Sequence, residues 1–345
     1  MTTPEPQSAE DRDTAARRRG ELLSRFALAG TLAFLCLLFA ITTRDHVFIK
    51  SANLINVASQ SAINTMIAVG MTLVIVTAGI DLSVGSIVGL VAVFSAGVMV
   101  QGLDFTVGAY RVQLLPELPG LGGVAIGLAA GLLVGALAGL VNALAIVRFK
   151  VTPFIATLAM MLIARGAAHL YSVSPVRNVP DAFVWLGQGR LAQVPIPVYV
   201  AIGVVIVGWL ILAKTPFGRH VYAVGGNEEA ARLSGIPVGR TKLWVYVASG
   251  LCSGIAGMVL AAQLEAGDPK LGQTYELDAI AAAVLGGTSL MGGRGTILGT
   301  VLGALIIGVL DNGLTMLHVS SFAQMVIKGL VILGAVILDQ KRQNA

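Results

Sequence analysis

GGVAIGLAAGLLVGALAGLVNALAIV, residues 122–147, carries no charged side chain from one end to the other, and Gly123, Gly127, Gly131, Gly135 and Gly139 recur within it at every fourth position. An apolar run of roughly 18 residues or more crosses a bilayer as a helix. Where side chains are missing on one face, a second backbone approaches closely, and in lipid such packing joins helices in place of exclusion from water. Runs of this character recur along the whole chain. Of its 345 residues 56% are hydrophobic and only 12% charged, and mean hydropathy is +0.84. The fold class that follows is all-α, a polytopic transmembrane helical bundle.

Charge sets the topology. Residues 1–25 mix Pro, Ser, Asp, Glu and Arg and end in Arg17, Arg18, Arg19 and Arg25, which reads as a disordered cytoplasmic tail. The apolar run that follows is long for a signal peptide and lacks a small-residue cleavage site, so it is expected to stay in the chain. About ten spans are expected, near residues 26–43, 60–79, 84–100, 122–147, 152–171, 198–213, 243–264, 277–290, 296–317 and 322–338. The membrane domain is then 26–338 and residues 339–345 form a second cytoplasmic tail. With both termini inside, Arg148, Lys150, the polar loop 214–242, Lys341 and Arg342 all fall on the side that favours basic residues. The eighth span is short, and is bracketed by Asp278 and Gly286-Gly287, so a broken or re-entrant helix is expected there. The ninth span repeats the glycine ladder at Gly295, Gly299 and Gly303. Each ladder leads to an asparagine, Asn142 or Asn312, and this hints at an inverted repeat of five spans each. The echo of Gly79-Ile-Asp-Leu in Gly287-Thr-Ser-Leu falls on one membrane side and cuts across that alignment.

The loop 214–242, KTPFGRHVYAVGGNEEAARLSGIPVGRTK, holds a complete set of helix punctuation. Asn227 caps a start, Glu228 and Glu229 complement the positive end of the helix, Gly235 takes the left-handed stop and Pro237 forbids resumption. A helix this short does not persist alone in water and is expected to dock on a partner.

Several chemistries are excluded. The sequence contains no Gly-Lys dipeptide and hence no loop of the G-x-x-x-x-G-K-[ST] type to hold nucleotide phosphates, so any ATP hydrolysis belongs to another chain. His46, His169, His220 and His318 stand apart, with no metal-ligand spacing, and no metal is expected. Cys36 and Cys252 lie inside apolar spans as small hydrophobes. The net charge of +5 is scattered between spans and forms no nucleic-acid patch.

Charges within spans are few. Asp311 and Lys328 fall at matching depth on adjacent spans and are expected to pair, either as a structural ion pair or in a substrate or proton role. Arg165 and His169 share one face of the fifth span and are expected to reach outward to water. In the turn GIDLSVGS, Asp81 is the only charge between Gln60 and Gln101. Gly79 and Gly85 permit a tight turn and Asp81 or Ser83 caps the helix after it; with Ser86, Asn142 and Asn312 these residues either fix that turn or line a translocation path.

Three stretches, GMTLVIVTAGIDLSVGSIVGL, FGRHVYAVGGNEEAARLSGI and AAAVLGGTSLMGGRGTILGTVLGALIIGVL, together resemble the permease subunits of bacterial ABC importers for ribose, xylose, arabinose and related monosaccharides. The resemblance runs from about residue 50 to 338. It implies an inner-membrane permease working as a dimer, powered by a cytoplasmic ATPase that carries ATP and magnesium, and fed by a periplasmic sugar-binding protein. No cofactor is then held by this chain, which is not itself an enzyme. It further implies that Asn227, Glu228, Glu229, Ala230, Ala231, Arg232, Leu233, Ser234 and Gly235 form the segment that enters the ATPase. Two rival expectations are a permease of the same architecture for branched-chain amino acids or another small solute, and a self-sufficient secondary carrier. The carrier would need coupling carboxylates at midplane.

Overall fold

The computed structural model describes residues 28–107, 110–115 and 120–343. The predicted tail 1–25 and the last two residues of the tail 339–345 lie outside them. The chain forms thirteen α-helices among the described residues: α1 (28–42), α2 (Ser51–Val76), α3 (Val84–Gln101), α4 (Leu121–Val147), α5 (Pro153–Tyr171), α6 (Asp181–Gln188), α7 (Ile196–Lys214), α8 (Pro216–Gly226), α9 (Glu228–Leu233), α10 (Val238–Gln263), α11 (Tyr275–Leu285), α12 (Ile297–Met316) and α13 (Ser321–Gln343). Seven of them are long and apolar enough to cross a membrane. With α1, α11 and the apolar part of α13 they account for the ten expected spans. A hairpin, β1 (Leu103–Val107) with β2 (Tyr110–Leu115), joins α3 to α4.

Helices α2, α3 and α10 are the most enclosed, and α4 shows how the bundle closes around them. Its glycine face packs on α10: a Cβ at Gly135 would overlap the Gly250 carbonyl, one at Gly139 the Tyr246 carbonyl, and one at Gly131 would stand 2.7 Å from the Met258 sulfur. The opposite face of α4 exposes Leu133, Leu137, Val141 and Leu144, as a lipid-facing stripe must. On α12 the ladder begins at Gly299, not Gly295. Gly295 precedes the Thr296 cap with φ 157, so its place is in the loop; Gly299 and Gly303 pack on Gly286 and Ala282 of the α11 end.

The packing partners follow the five-span repeat. Helix α10 packs on α3 and α4 as α2 packs on α11 and α12, and α3 meets α5 as α11 meets α13. Helices α2 and α10 run antiparallel, since Gly70 lies on Ser249 while Gln263 near the end of α10 donates to Ser59 near the start of α2. The true echo of Ala78-Gly79-Ile80-Asp81 is therefore Ala266-Gly267-Asp268, which leads into α11 as the former leads into α3. The Gly287 turn is instead a neighbour of the Gly79 turn, through the Gly293 N–H that donates to the Val76 carbonyl at 2.9 Å.

Three boundaries depart from expectation. Helix α2 begins at Ser51, nine residues before its predicted start, because buried Asn53 donates to the Phe48 carbonyl and to Asn312 Oδ1, both at 2.9 Å, and so satisfies a polar first turn. Helix α10 absorbs Gly239, Arg240, Thr241 and Lys242, which read as loop. Between α5 and α7, where no span is expected, Asp181–Gln188 form the short α6, with Phe183 fully buried and Gly187 against the α10 backbone.

Candidate functional site

At one end of the bundle the chain leaves α7 through α8 and α9 before re-entering as α10. Pro216 occupies the first turn of α8 and Thr215 accepts from Gly218 N. Helix α9 is built as its punctuation predicts. Asn227 Oδ1 accepts from the Ala230 N–H at 2.9 Å, Gly235 stands at φ +80 and Pro237 precedes α10. Ala231 is buried against Val224 and Val238, which fixes the rotation of α9 on its base. Glu229, Ala230, Arg232, Leu233, Ser234 and Gly235 are consequently exposed, Leu233 at 81%.

Glu228 ties α9 to α10. It accepts from Lys242 Nζ at 2.6 Å and from Arg232 at 3.2 Å. The Lys242 ammonium, with smaller help from the charges of Arg232 and Lys150, holds its carboxyl below the usual glutamate range. These residues, with Val151 and Pro153 from the α4–α5 turn, line a cleft of about 440 Å³. Helix α8 is anchored by absence of side chain. A Cβ at Gly225 would overlap the Val76 carbonyl oxygen and stand 2.7 Å from Gly293 N, whereas one at Gly226 would meet nothing. Tyr222 Oη donates to the Gly295 carbonyl at 2.7 Å. Helix α8 therefore rests directly on the end of α2 and on the loop between α11 and α12. Sequence reasoning noted the glycines of this loop but not that it seats α8, and it gave Tyr222 no role.

The residues considered for a translocation path divide into separate places. Asp81 is fully buried and accepts from Ser83 N at 3.0 Å, Ser83 Oγ at 2.5 Å and Ser249 Oγ at 2.8 Å, while Asn142 donates to Ser83 Oγ at 2.9 Å. This is a closed hydrogen-bonded knot joining α3, α4 and α10. Gly79 sits beneath Tyr246, and Gly85 faces Glu276 and the Gly272 carbonyl. Ser86 is buried, and Asn312 is bonded to Asn53 at the other end of α2. Ser249 escaped notice although it lies on the small-residue face of α10 with Gly250, Ser253, Gly254 and Gly257.

The expected Asp311–Lys328 pair is present at 3.4 Å, but Lys328 lies closer to Asp278 of α11, at 3.0 Å. One ammonium thus serves two carboxylates and gathers α11, α12 and α13. Arg165 does not extend outward with His169. It turns inward and donates to the Pro269 and Leu271 carbonyls at 2.6 and 2.8 Å, satisfying backbone that has no helix to do so. Among the described residues no group of three His, Cys, Asp or Glu is placed to hold a metal.

Residues 53–336 match the family described as "Branched-chain amino acid transport system / permease component". The chain is 44% identical to the ribose import permease protein RbsC of Bacillus subtilis (strain 168), over 90% of this chain and 92% of that one. It is 38% identical to the L-arabinose transport system permease protein AraH of Escherichia coli (strain K12), over 94% and 93%, and 39% identical to the galactose/methyl galactoside import permease protein MglC of the same strain, over 89% and 92%. No solved structure matches the chain.

Proposed function

The chain belongs to the family of branched-chain amino acid transport system permease components, and on that premise we propose that it is the membrane subunit of an ATP-driven importer whose cargo is a monosaccharide. The cargo reading is carried by the relatives named for ribose, arabinose and galactose, which align with this chain nearly end to end. A neutral cargo also suits the charges at depth. Lys328 is already held by Asp278 and Asp311, so that cation is not left over for the carboxylate of an amino acid.

Helix α9 is the docking point of a cytoplasmic ATPase, which holds ATP and magnesium. Leu233 supplies an apolar anchor, and Glu229 and Arg232 flank it. The α9 end of the bundle is cytoplasmic, as are both termini, because Arg148, Lys150, Lys214, Arg219, Arg232, Arg240 and Lys242 gather there. A secreted binding protein delivers sugar to the far end, in the inner membrane of a bacterium. Two copies of the chain enclose the route, and nucleotide binding and hydrolysis rock them between inward- and outward-open arrangements. The knot of Asp81, Ser83, Ser249 and Asn142 holds the turn before α3 while this happens, with its polar atoms turned on one another.

Reconstitution of the chain in vesicles with its ATPase and binding protein tests the assignment. Labelled pentose or hexose accumulates only with ATP inside. Accumulation by the chain alone, or of leucine in place of sugar, overturns it.

A further inference from the structure

Between α10 and α11 the chain crosses part of the bundle without forming a helix. Gly267 lies against Ala92 and Ala96 of α3, the Pro269 and Leu271 carbonyls face Gly89, and Gly272 reaches Gly85 and Val88. The stretch has descended about two turns of α3, roughly 11 Å at 1.5 Å per residue, before α11 begins. Backbone of this kind is tolerated at membrane depth only against protein or water. On one flank Arg165 takes up the Pro269 and Leu271 carbonyls. The exposed flank of the stretch carries Lys270, Gln273 and Thr274, with Thr274 held at φ +68, a conformation that a non-glycine residue adopts only under constraint.

That flank is unlike every lipid face of the bundle. Leu162 and Ile163 on α5, Val207 on α7 and Leu330 on α13 are exposed and apolar. A lysine turned to lipid at depth costs about 2.5–3.5 kcal/mol, and an amide and a hydroxyl beside it add to that cost. We infer that residues 268–274 form the wall of a water-filled passage closed by a second copy of the chain, and that Lys270, Gln273 and Thr274 are the side chains that meet the sugar's hydroxyls as it crosses. The chemistry is suited to a neutral polyol. The ammonium donates, the amide donates and accepts, and the hydroxyl does both. This rests on the permease reading above, and it moves the route from the buried Asp81 knot to the broken eighth span.

The test is water access. In the full transporter, with Cys36 and Cys252 replaced by alanine, Gln273→Cys and Leu330→Cys are each treated with a charged, membrane-impermeant methanethiosulfonate. Gln273→Cys is expected to react at least about tenfold faster than Leu330→Cys, in line with the cost of polar groups in lipid, to lose uptake on modification, and to be protected by sugar-loaded binding protein. Lys270→Cys provides the same comparison should Gln273→Cys fail to assemble. A Gln273→Cys transporter that imports sugar yet labels no faster than Leu330→Cys overturns the passage and leaves the permease reading intact. A cysteine-free transporter that imports no sugar with both partners present counts against the permease reading instead.

Discussion

Replacing Gly225 by alanine probes whether α8 is bound rigidly to the membrane bundle. The added methyl would overlap the Val76 carbonyl oxygen and stand 2.7 Å from Gly293 N, and both obstacles are backbone, which no rotamer change relieves. Helix α8 must lift from the end of α2, and the Gly293 N–H to Val76 carbonyl bond of 2.9 Å lies in the gap that opens. Overpacking costs about 1–3 kcal/mol and an orphaned buried bond about 1–3 kcal/mol, so a destabilisation of about 2–6 kcal/mol is expected for this corner. Gly226→Ala is the matched control, since its new methyl meets nothing. Each variant is reconstituted with the ATPase and binding protein, and sugar uptake and ATP hydrolysis are measured in the same vesicles. Gly225→Ala should lose about tenfold in sugar moved per ATP, a coupling change of about 1.4 kcal/mol, with hydrolysis retained. If Gly225→Ala performs as Gly226→Ala does, direct seating of α8 on α2 is not how motion reaches the bundle.

Three further outcomes are expected. Asn227→Ala removes the α9 cap and about 1 kcal/mol with it; amides 230–233 lose hydrogen-exchange protection and ATPase affinity drops, whereas Asn227→Asp retains both. Glu228 contributes through a lowered pKa, so its support of α9 is complete above the ordinary glutamate value of about 4.3 and fades as pH falls through the lower folded value. The protection factors of α9 trace that profile, and Glu228→Gln flattens it. Lys328→Met strands Asp278, whose side chain is 7% exposed, and should cost about 3–5 kcal/mol; the detergent-solubilised protein melts early, and adding Asp278→Asn recovers most of the loss.

Much of the bundle was legible because lipid imposes a blunt rule: long uncharged runs must be helices, and glycine at every fourth position must be a seam. The α9 punctuation was equally plain, since capping is local and Asn227, Gly235 and Pro237 act within a few residues of themselves. What escaped depends on contacts between distant parts of the chain. Ser51 to Ser59 reads as a polar connector until Asn312 is found opposite Asn53. Asp268 and Lys270 read as surface loop because nothing in the sequence shows that Arg165 waits at that depth for their neighbours' carbonyls. Asp278 was noticed only as a bracket to the eighth span, because nothing local in the sequence shows that Lys328 lies closer to it than to Asp311.

The seam between α4 and α10 has a mechanical consequence. Where Gly135 meets Gly250 there are no side chains to change rotamer, slide or compress, and so there is no slack. Helix α10 begins only a few residues beyond α9. A tilt of α10 would therefore pass into α4 at this seam, as torque passes between two gears cut to mesh without play.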